Sequence, residues 1–112
     1  MKIYKLFKKY RGCKTENNID YKNAKQILEG NNECILLDVR SEQEYKEEHL
    51  DGSINIPLYD INQEIEMVIP NKNSPIIVYC QSGTRSKKAI SILKKKGYEE
   101  LYNIEGGLDN IE

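Results

Sequence analysis

The sequence predicts an α/β fold with a small central parallel sheet of about four to five strands and helices on both faces. Short apolar runs alternate along the chain with segments of helical periodicity, a pattern typical of parallel sheets connected by helices. The run 76–79 is apolar without alternation, so we expect a strand that is covered on both faces. The chain has 112 residues, 31% of them charged and 38% hydrophobic, which suits one globular domain.

The first half of the domain is expected to contain a helix, a strand and a second, short helix. The domain begins at Ile19, and Asp20 is placed to cap a helix over 21–29. A buried strand is expected over 34–39. Residues 41–44 read Ser-Glu-Gln-Glu, a capping box that predicts a helix directly after the serine.

The second half continues the alternation of strands and helices. A third strand is expected over 53–56, and Asp60 is expected to cap a helix that ends near Met67. The remaining predicted elements are a strand over 76–79, a helix over 86–96 stopped by Gly97, a strand over 101–104 and a turn at Gly106-Gly107.

The segment between the strand 76–79 and the following helix is the candidate reactive site. It reads Cys80-Gln81-Ser82-Gly83-Thr84-Arg85 and leads into Ser86. In parallel sheets ligands bind beyond the carboxyl ends of the strands, where Cys80 is expected to lie. Gly83 allows the loop to curl, so that loop and helix amides form an anion-binding nest that favours a thiolate.

The alternative for this segment is a small buried cysteine that ends a strand, with a glycine needed only for the turn. Arg85 brings a fixed positive charge next to Cys80, and Ser82 and Ser86 bring hydroxyls. This composition is typical of a reactive cysteine, so we favour the reactive interpretation.

Four further segments accompany the cysteine loop in a fixed order. They are Leu36-Leu37-Asp38-Val39-Arg40, Glu44-Tyr45, His49 to Pro57, and Gly97-Tyr98 to Gly106-Gly107. Together with the loop, they resemble the motifs of the rhodanese family of single-domain sulfurtransferases. The resemblance covers residues 19–112 and implies a rhodanese-like domain that follows a basic arm over 1–18.

The resemblance implies transfer of a sulfane sulfur from a small donor such as thiosulfate to a thiol or protein acceptor. Cys80 would carry the sulfur as a persulfide, and the loop would hold the donor through Gln81, Ser82, Gly83, Thr84, Arg85 and Ser86. The reaction so implied needs no metal and no organic cofactor.

Loop length distinguishes this reaction from phosphate chemistry. Four residues separate Cys80 from Arg85. The loop of cysteine phosphatases, a related family pattern, has five residues between its cysteine and its arginine. In that pattern the arginine would stand at the position of Ser86. We therefore favour sulfur transfer over a phosphatase or an arsenate reductase. A persulfide carrier or docking module with little small-molecule turnover stays open as the second interpretation.

Three polar residues near the predicted pocket have alternative roles. Asp38 and Arg40 follow a strand and either line the pocket mouth or act from behind it. We favour the second role, with Asp38 bonded to loop amides and Arg40 paired with a helix carboxylate. His49 invites a cysteine–histidine dyad, but a structural hydrogen bond at a turn is the favoured role.

The cysteines indicate a reduced, cytoplasmic setting. Their number is odd, no C-x-x-C pair occurs and there is one histidine, so a structural zinc site is not expected. Cys34 is expected to be a core side chain. Cys13 lies in the arm, where a role as a second sulfur-accepting thiol is the less favoured interpretation.

The arm is strongly basic, although the net charge of −1 gives no indication of a nucleic-acid partner. Its first 14 residues hold six basic and no acidic side chains, with apolar residues at helical spacing. Contact of residues 1–14 with an anionic membrane surface is one interpretation. An arm docked on the acidic body, or a frayed tail, is the favoured one. We expect neither a signal peptide nor a membrane span.

Overall fold

The computed structural model describes residues 17–111, and in this part of the chain five parallel strands form one sheet. The strand order is β1-β5-β4-β2-β3. The bounds are Asn17–Ile19 for β1, Ile35–Asp38 for β2, Ile54–Asn55 for β3, Ile76–Tyr79 for β4 and Leu101–Ile104 for β5. The predicted α/β class with its small parallel sheet is thereby confirmed. The arm's residues 1–14 and Cys13 lie outside the described residues.

Residues 17–111 also form four α-helices and two 3₁₀ turns. The helices are α1 at Tyr21–Gly30, α2 at Glu42–Glu47, α3 at Ile61–Val68 and α4 at Thr84–Lys95. The 3₁₀ turns are Leu58–Asp60, which leads into α3, and Gly107–Asn110, which follows β5. Within residues 17–111, no helix has the length and apolar character needed to cross a bilayer.

Three helix ends form as the sequence predicts. The Asp20 carboxylate accepts a hydrogen bond from the Asn23 amide at 2.9 Å and caps α1. The Ser41 hydroxyl and the Glu44 carboxylate close a reciprocal capping box at the start of α2. At the end of α4, Gly97 has a φ of 100°, a left-handed conformation that glycine adopts at little cost.

Several other predictions at the ends of helices and strands are wrong in detail. α4 begins at Thr84, two residues early, because Gly83 has a φ of 102° and takes the capping position itself. Asp60 lies in the 3₁₀ turn with helical backbone angles, and its side chain makes no capping bond to α3. Cys34 precedes β2 and is only partly buried, and β3 has two residues rather than four.

Strand β1 is absent from the sequence-based prediction. It has three residues, two of them asparagine, and pairs with β5 in the register Asn17 to Tyr102 and Ile19 to Ile104. Its place in the sheet comes from this long-range pairing rather than from an apolar pattern. β1 therefore forms one edge of the sheet, beside β5.

Two apolar clusters lie on opposite faces of the sheet. The larger joins alternate residues of β2 and β4 to α3 and α4; it includes Leu37, Val78, Ile61, Ile65 and Leu93. The other joins the remaining strand residues to α1; it includes Leu36, Ile77, Tyr79 and Ala24. Since consecutive strand residues point to opposite faces, β4 supplies Tyr79 to one cluster and Cys80 follows it on the other.

We expect replacement of Tyr79 by phenylalanine to destabilise the sheet without altering its apolar packing. The buried Tyr79 hydroxyl accepts from the Leu50 amide at 3.0 Å and contacts the Ser53 hydroxyl at 3.2 Å. Burial raises the pKa of Tyr79 to about 12. Loss of this oxygen leaves the partly buried Leu50 amide without its partner, which costs about 1 kcal/mol in free energy of unfolding, measurable by urea denaturation. Tyr59→Phe is the control, because Tyr59 is 90% exposed and should show no loss.

Candidate active site

The Cys80 sulfur lies at the carboxyl end of β4, enclosed by the loop that leads into α4. Its Sγ accepts hydrogen bonds from the Gly83 amide at 3.0 Å and the Ser86 amide at 3.3 Å. The side chain has no exposed surface. Burial alone would suit an inert cysteine, but two amides aimed at the sulfur make this a binding position for a negative charge.

The same two residues lie at the start of helix α4, Gly83 as its N-cap and Ser86 in its first turn. Gly83 is the residue before the helix, and the free amides of the first turn carry the positive end of the helix dipole. The Ser86 hydroxyl is buried, 3.6 Å from Cys80 Sγ and 3.0 Å from the Gly83 carbonyl oxygen. The sulfur is thus placed at the start of a helix of twelve residues.

The loop's outer residues tie it to its surroundings. The Gln81 amide nitrogen donates to Asp109 Oδ1 at 2.7 Å, and Gln81 Oε1 accepts from Arg40 Nη1 at 3.4 Å. Ser82 and Thr84 are exposed on the loop surface. Gln81 therefore links the end of β2 to the last 3₁₀ turn across the loop.

The Arg85 guanidinium is paired with the carboxylate of Glu44, which the sequence analysis predicted as part of the capping box of α2. Its two Nη atoms lie 2.8 and 3.1 Å from the two carboxylate oxygens of Glu44. The hydrogen bond from Arg85 is the main cause that lowers the pKa of Glu44 to about 2. The fixed positive charge that Arg85 was expected to bring is therefore paired with an anion, and Glu44 both caps α2 and orients Arg85.

Asp38 and Arg40 pair with each other at the end of β2. Asp38 accepts from the Arg40 amide at 2.8 Å and from Arg40 Nη2 at 2.8 Å. The expected partnership of Arg40 with a helix carboxylate is wrong, because Asp38 is nearer and both side chains are buried. Arg40 also donates to the Glu48 carbonyl at 2.7 Å, so the pair anchors the α2 segment behind the loop.

The ring of His49 packs on Tyr45 rather than presenting a base to the thiol loop. The two ring centroids lie 3.8 Å apart, and His49 Nδ1 is 2.7 Å from the Tyr45 carbonyl oxygen. These contacts favour the structural role at the turn. Among residues 17–111, no group of His, Cys, Asp or Glu side chains is placed to hold a metal ion.

The Gly106-Gly107 turn packs directly against the back of the cysteine loop. The Leu108 amide donates to the Cys80 carbonyl at 3.0 Å, and the Asp109 amide donates to the Gln81 carbonyl at 2.9 Å. A Cβ atom on Gly107 would fall 2.6 Å from the Gln81 carbonyl oxygen. Glycine is therefore required here for close approach, a function that its sequence position in a turn does not reveal.

Comparison with known proteins identifies the domain. A family model described as "Rhodanese-like domain" matches residues 20–112. Thiosulfate sulfurtransferase PspE of Escherichia coli is 41% identical over 75 residues, which cover 67% of this chain and 71% of that protein. The putative sulfur carrier protein YrkF of Bacillus subtilis is 32% identical over 75% of this chain and 44% of its own length.

Solved structures show the same fold. A rhodanese with anions from E. coli has a TM-score of 0.64 at 40% identity and covers 70% of this chain and 91% of its own. The rhodanese-like domain of an Anabaena protein has a TM-score of 0.75 at 27% identity, over 86% of this chain and 73% of that one.

Several relatives are much longer proteins. The chain spans 29% of the tRNA uridine(34) hydroxylase of Buchnera aphidicola, to which it is 34% identical over 91 residues. The similarity to such longer proteins therefore covers one domain-sized part of each. The resemblance in the motifs is confirmed by the match over residues 20–112 and by the 41% identity to PspE, so the chain belongs to the rhodanese-like domain family.

Proposed function

We propose that the protein is a sulfurtransferase that moves a sulfane sulfur from an anionic donor such as thiosulfate to a thiophilic acceptor through a persulfide on Cys80. The observation that carries the proposal is the pair of amides, from Gly83 and Ser86, that point at Cys80 Sγ at 3.0 and 3.3 Å. Such donors stabilise negative charge on the sulfur in both the thiolate and the persulfide state.

The proposed reaction has two balanced steps. The Cys80 thiolate attacks the outer sulfur of thiosulfate, a new S–S bond forms, the donor S–S bond breaks, and sulfite leaves with the bonding electron pair. A nucleophile, cyanide in an assay or a thiol in the cell, then attacks the terminal sulfur and releases the Cys80 thiolate. Covalent catalysis of this kind gives ping-pong kinetics.

The compact loop supports sulfur rather than phosphate as the transferred group. The amides of Gly83 and Ser86 lie within hydrogen-bond distance of Sγ itself, so the loop closes tightly around one sulfur atom. A phosphoryl group on the cysteine would need its oxygens surrounded at a greater radius. Assay with para-nitrophenyl phosphate tests the phosphatase alternative, for which we expect no turnover.

The carrier interpretation has its own support. YrkF, a putative sulfur carrier protein, is 32% identical over 84 residues, and the buried Cys80 suits the storage of a persulfide away from water. A carrier forms the persulfide but turns over slowly with cyanide and rapidly with its protein acceptor. We favour the enzyme because PspE, a thiosulfate sulfurtransferase, is the more similar relative at 41% identity.

Persulfide mapping tests the proposal directly. The full chain is treated with thiosulfate in the absence of reductant, and its peptides are mapped by mass spectrometry. We expect one added sulfur, about 32 Da, on the Cys80 peptide and none on the Cys34 peptide. An unmodified Cys80 peptide, or sulfur placed equally on both cysteines, would contradict the proposal.

The free thiols of Cys34 and Cys80 suit a reducing compartment, and we place the reaction in the cytoplasm.

Removal of the Glu44 charge is expected to strengthen binding of an anionic donor. In Glu44→Gln the Arg85 guanidinium loses its carboxylate partner, whereas glutamine still serves the capping box. Because the ion pair is partly exposed, the expected fall in KM for thiosulfate is about two- to fivefold, measured by steady-state kinetics. Glu42→Gln makes the same charge change on α2, and an equal fall in that variant would contradict the role of Glu44.

The same ion pair predicts a pH dependence of stability. The pKa of Glu44 is lowered to about 2, so its contribution is complete above the ordinary carboxyl range and is lost as the pH falls toward 2. We expect Glu44→Gln to lower the free energy of unfolding at pH 7 by up to about 1 kcal/mol. Urea denaturation of both proteins should show this difference shrinking as the pH approaches 2.

A further inference from the structure

Helix α4 has a cationic side that begins at the cysteine loop. Residues 17–111 contain 16 acidic and 11 basic side chains, yet α4 has five basic side chains and no acidic one. The exposed positions of α4 recur at helical spacing and so lie along one side of the helix. We call this side the lysine face; its members are Thr84, Lys87, Lys88, Ser91, Lys94 and Lys95.

The four lysines of this face form no ion pair within residues 17–111. All the ion pairs in that part of the chain use other cations. Lys94 and Lys95 have a structural reason to be basic, because the negative end of the helix dipole stabilises cations in the last turn. This reason covers only half of the set.

The helix dipole does not account for Lys87 and Lys88. They follow the first turn of α4, near the positive end of the dipole, where a cation is disfavoured. Arg85 stands three residues before Lys88, and like charges at this spacing repel. Because α4 has no acidic residue, no carboxylate of the helix compensates. Side chains that oppose local stability in this way are typical of a functional surface.

The lysine face adjoins the loop that encloses Cys80. Thr84 belongs to the loop and is also the first residue of α4, so Lys87 and Lys88 follow it within about 6 Å along the helix axis. Lys94 and Lys95 lie about 15 Å or more from Thr84. Cys80 has no exposed surface, so an acceptor must come close to the loop. An acceptor of protein size that covers the loop therefore also covers the adjoining lysines.

The charges around the loop favour a protein over a nucleic acid as the partner. The Arg85–Glu44 ion pair places α2 next to the start of α4. The exposed carboxylates on and just after α2 are those of Glu42, Glu47 and Glu48. RNA has phosphates along its whole length and would meet these carboxylates. A folded protein, in contrast, can present its acidic groups to α4 alone.

We propose that the lysine face docks an acidic protein that accepts the sulfur of the Cys80 persulfide. The inference rests on the proposed function, because transfer requires the persulfide. The acceptor thiolate attacks the outer sulfur and forms a new S–S bond, the bond from that sulfur to Cys80 Sγ breaks, and Cys80 leaves as the thiolate. Exposed lysines act by steering the partner, which raises its association rate.

The test measures sulfur transfer from the persulfide of the full chain to two synthetic cysteine peptides, one rich in glutamate and one with glutamine in place of each glutamate. The ratio of the two rates is compared between protein variants, which cancels the peptides' own reactivities. We expect Lys87→Glu/Lys88→Glu to lower this ratio about tenfold at low ionic strength. The difference between the variants should vanish at about 1 M salt.

The matched control is Lys22→Glu/Lys25→Glu, which makes the same charge change on α1, on the opposite face of the sheet, and should leave the ratio unchanged. Lys87→Glu/Lys88→Glu should fold, since the dipole favours carboxylates near the start of a helix. An unchanged ratio in Lys87→Glu/Lys88→Glu, or an equal fall in the α1 variant, would overturn the inference.

A small uncharged acceptor separates docking from the chemistry at the sulfur. Transfer to 2-mercaptoethanol should be nearly equal in the wild type and in Lys87→Glu/Lys88→Glu. A tenfold loss with this acceptor would place the effect at Cys80 itself and overturn the inference.

A labelled single-stranded RNA tests the nucleic-acid alternative by fluorescence anisotropy at physiological ionic strength. We expect no binding, and binding that is lost in Lys87→Glu/Lys88→Glu would assign the face to RNA and overturn the inference. The same measurement at low ionic strength with a labelled glutamate peptide, its cysteine replaced by serine, needs no persulfide. Failure of Cys80 to form a persulfide is therefore recognised separately from failure of the lysine face to bind acidic chains.

Discussion

Replacement of Cys80 by serine is expected to reduce thiosulfate-dependent sulfur transfer by more than about a thousandfold, because no persulfide can form on oxygen. The serine hydroxyl can still accept a hydrogen bond from the Gly83 or Ser86 amide, so the loop should keep its conformation. Circular dichroism and urea denaturation establish that the variant is folded, and the thiosulfate–cyanide assay measures the loss.

The matched control is Cys34→Ser. Cys34 lies just before β2, at the opposite end of the strands from Cys80, and burial is the main cause that raises its pKa to about 11. Such a thiol is protonated at neutral pH and is a poor nucleophile. We expect Cys34→Ser to retain turnover. Equal losses in both variants, or turnover in Cys80→Ser, would contradict the assignment of the nucleophile.

Replacement of Gly107 by alanine is expected to disturb the cysteine loop from behind. Its φ of +60° is unfavourable for a side chain, and the added Cβ would lie within 3 Å of the Cys80 and Gln81 carbonyl oxygens. Both obstacles are backbone atoms, so the loop or the 3₁₀ turn must move. We expect a loss of about 2–4 kcal/mol in free energy of unfolding, measured by urea denaturation.

Activity should fall together with stability in Gly107→Ala. A shift of the Cys80 and Gln81 carbonyls moves the loop amides, and misplacement of catalytic groups by about 1 Å costs about a hundredfold in rate. Gly30→Ala provides the control, since a Cβ at Gly30 meets nothing within 4 Å. Wild-type kcat/KM in Gly107→Ala would show that the contact between the turn and the loop is dispensable.

Elements with strong local signals could be predicted from the sequence. β4 has the predicted bounds, because an unbroken apolar run buried on both faces leaves little choice of conformation. β5 also has the predicted bounds, although Asn103 interrupts its apolar residues. The capping box at Ser41 and Glu44 and the stop at Gly97 depend on nearby atoms only. Their hydrogen bonds are accordingly as expected.

Features that depend on distant partners could not be predicted. β1 has no apolar pattern of its own and exists through its pairing with β5. The Arg85–Glu44 ion pair joins residues that are close only after α2 and α4 are placed by the sheet. Asn103 looks like an ordinary strand residue in the sequence, and only the fold buries its amide against the Ser86 hydroxyl.

The bonds from Leu108 and Asp109 to the Cys80 and Gln81 carbonyls join the cysteine loop to residues that are synthesised after it. The ribosome releases Cys80 before it releases these two residues, and before β5 is available to pair with β1. A nascent polypeptide therefore exposes a thiol whose loop lacks its last anchor. The loop around the proposed nucleophile can therefore close only after β5 and the following 3₁₀ turn have been synthesised.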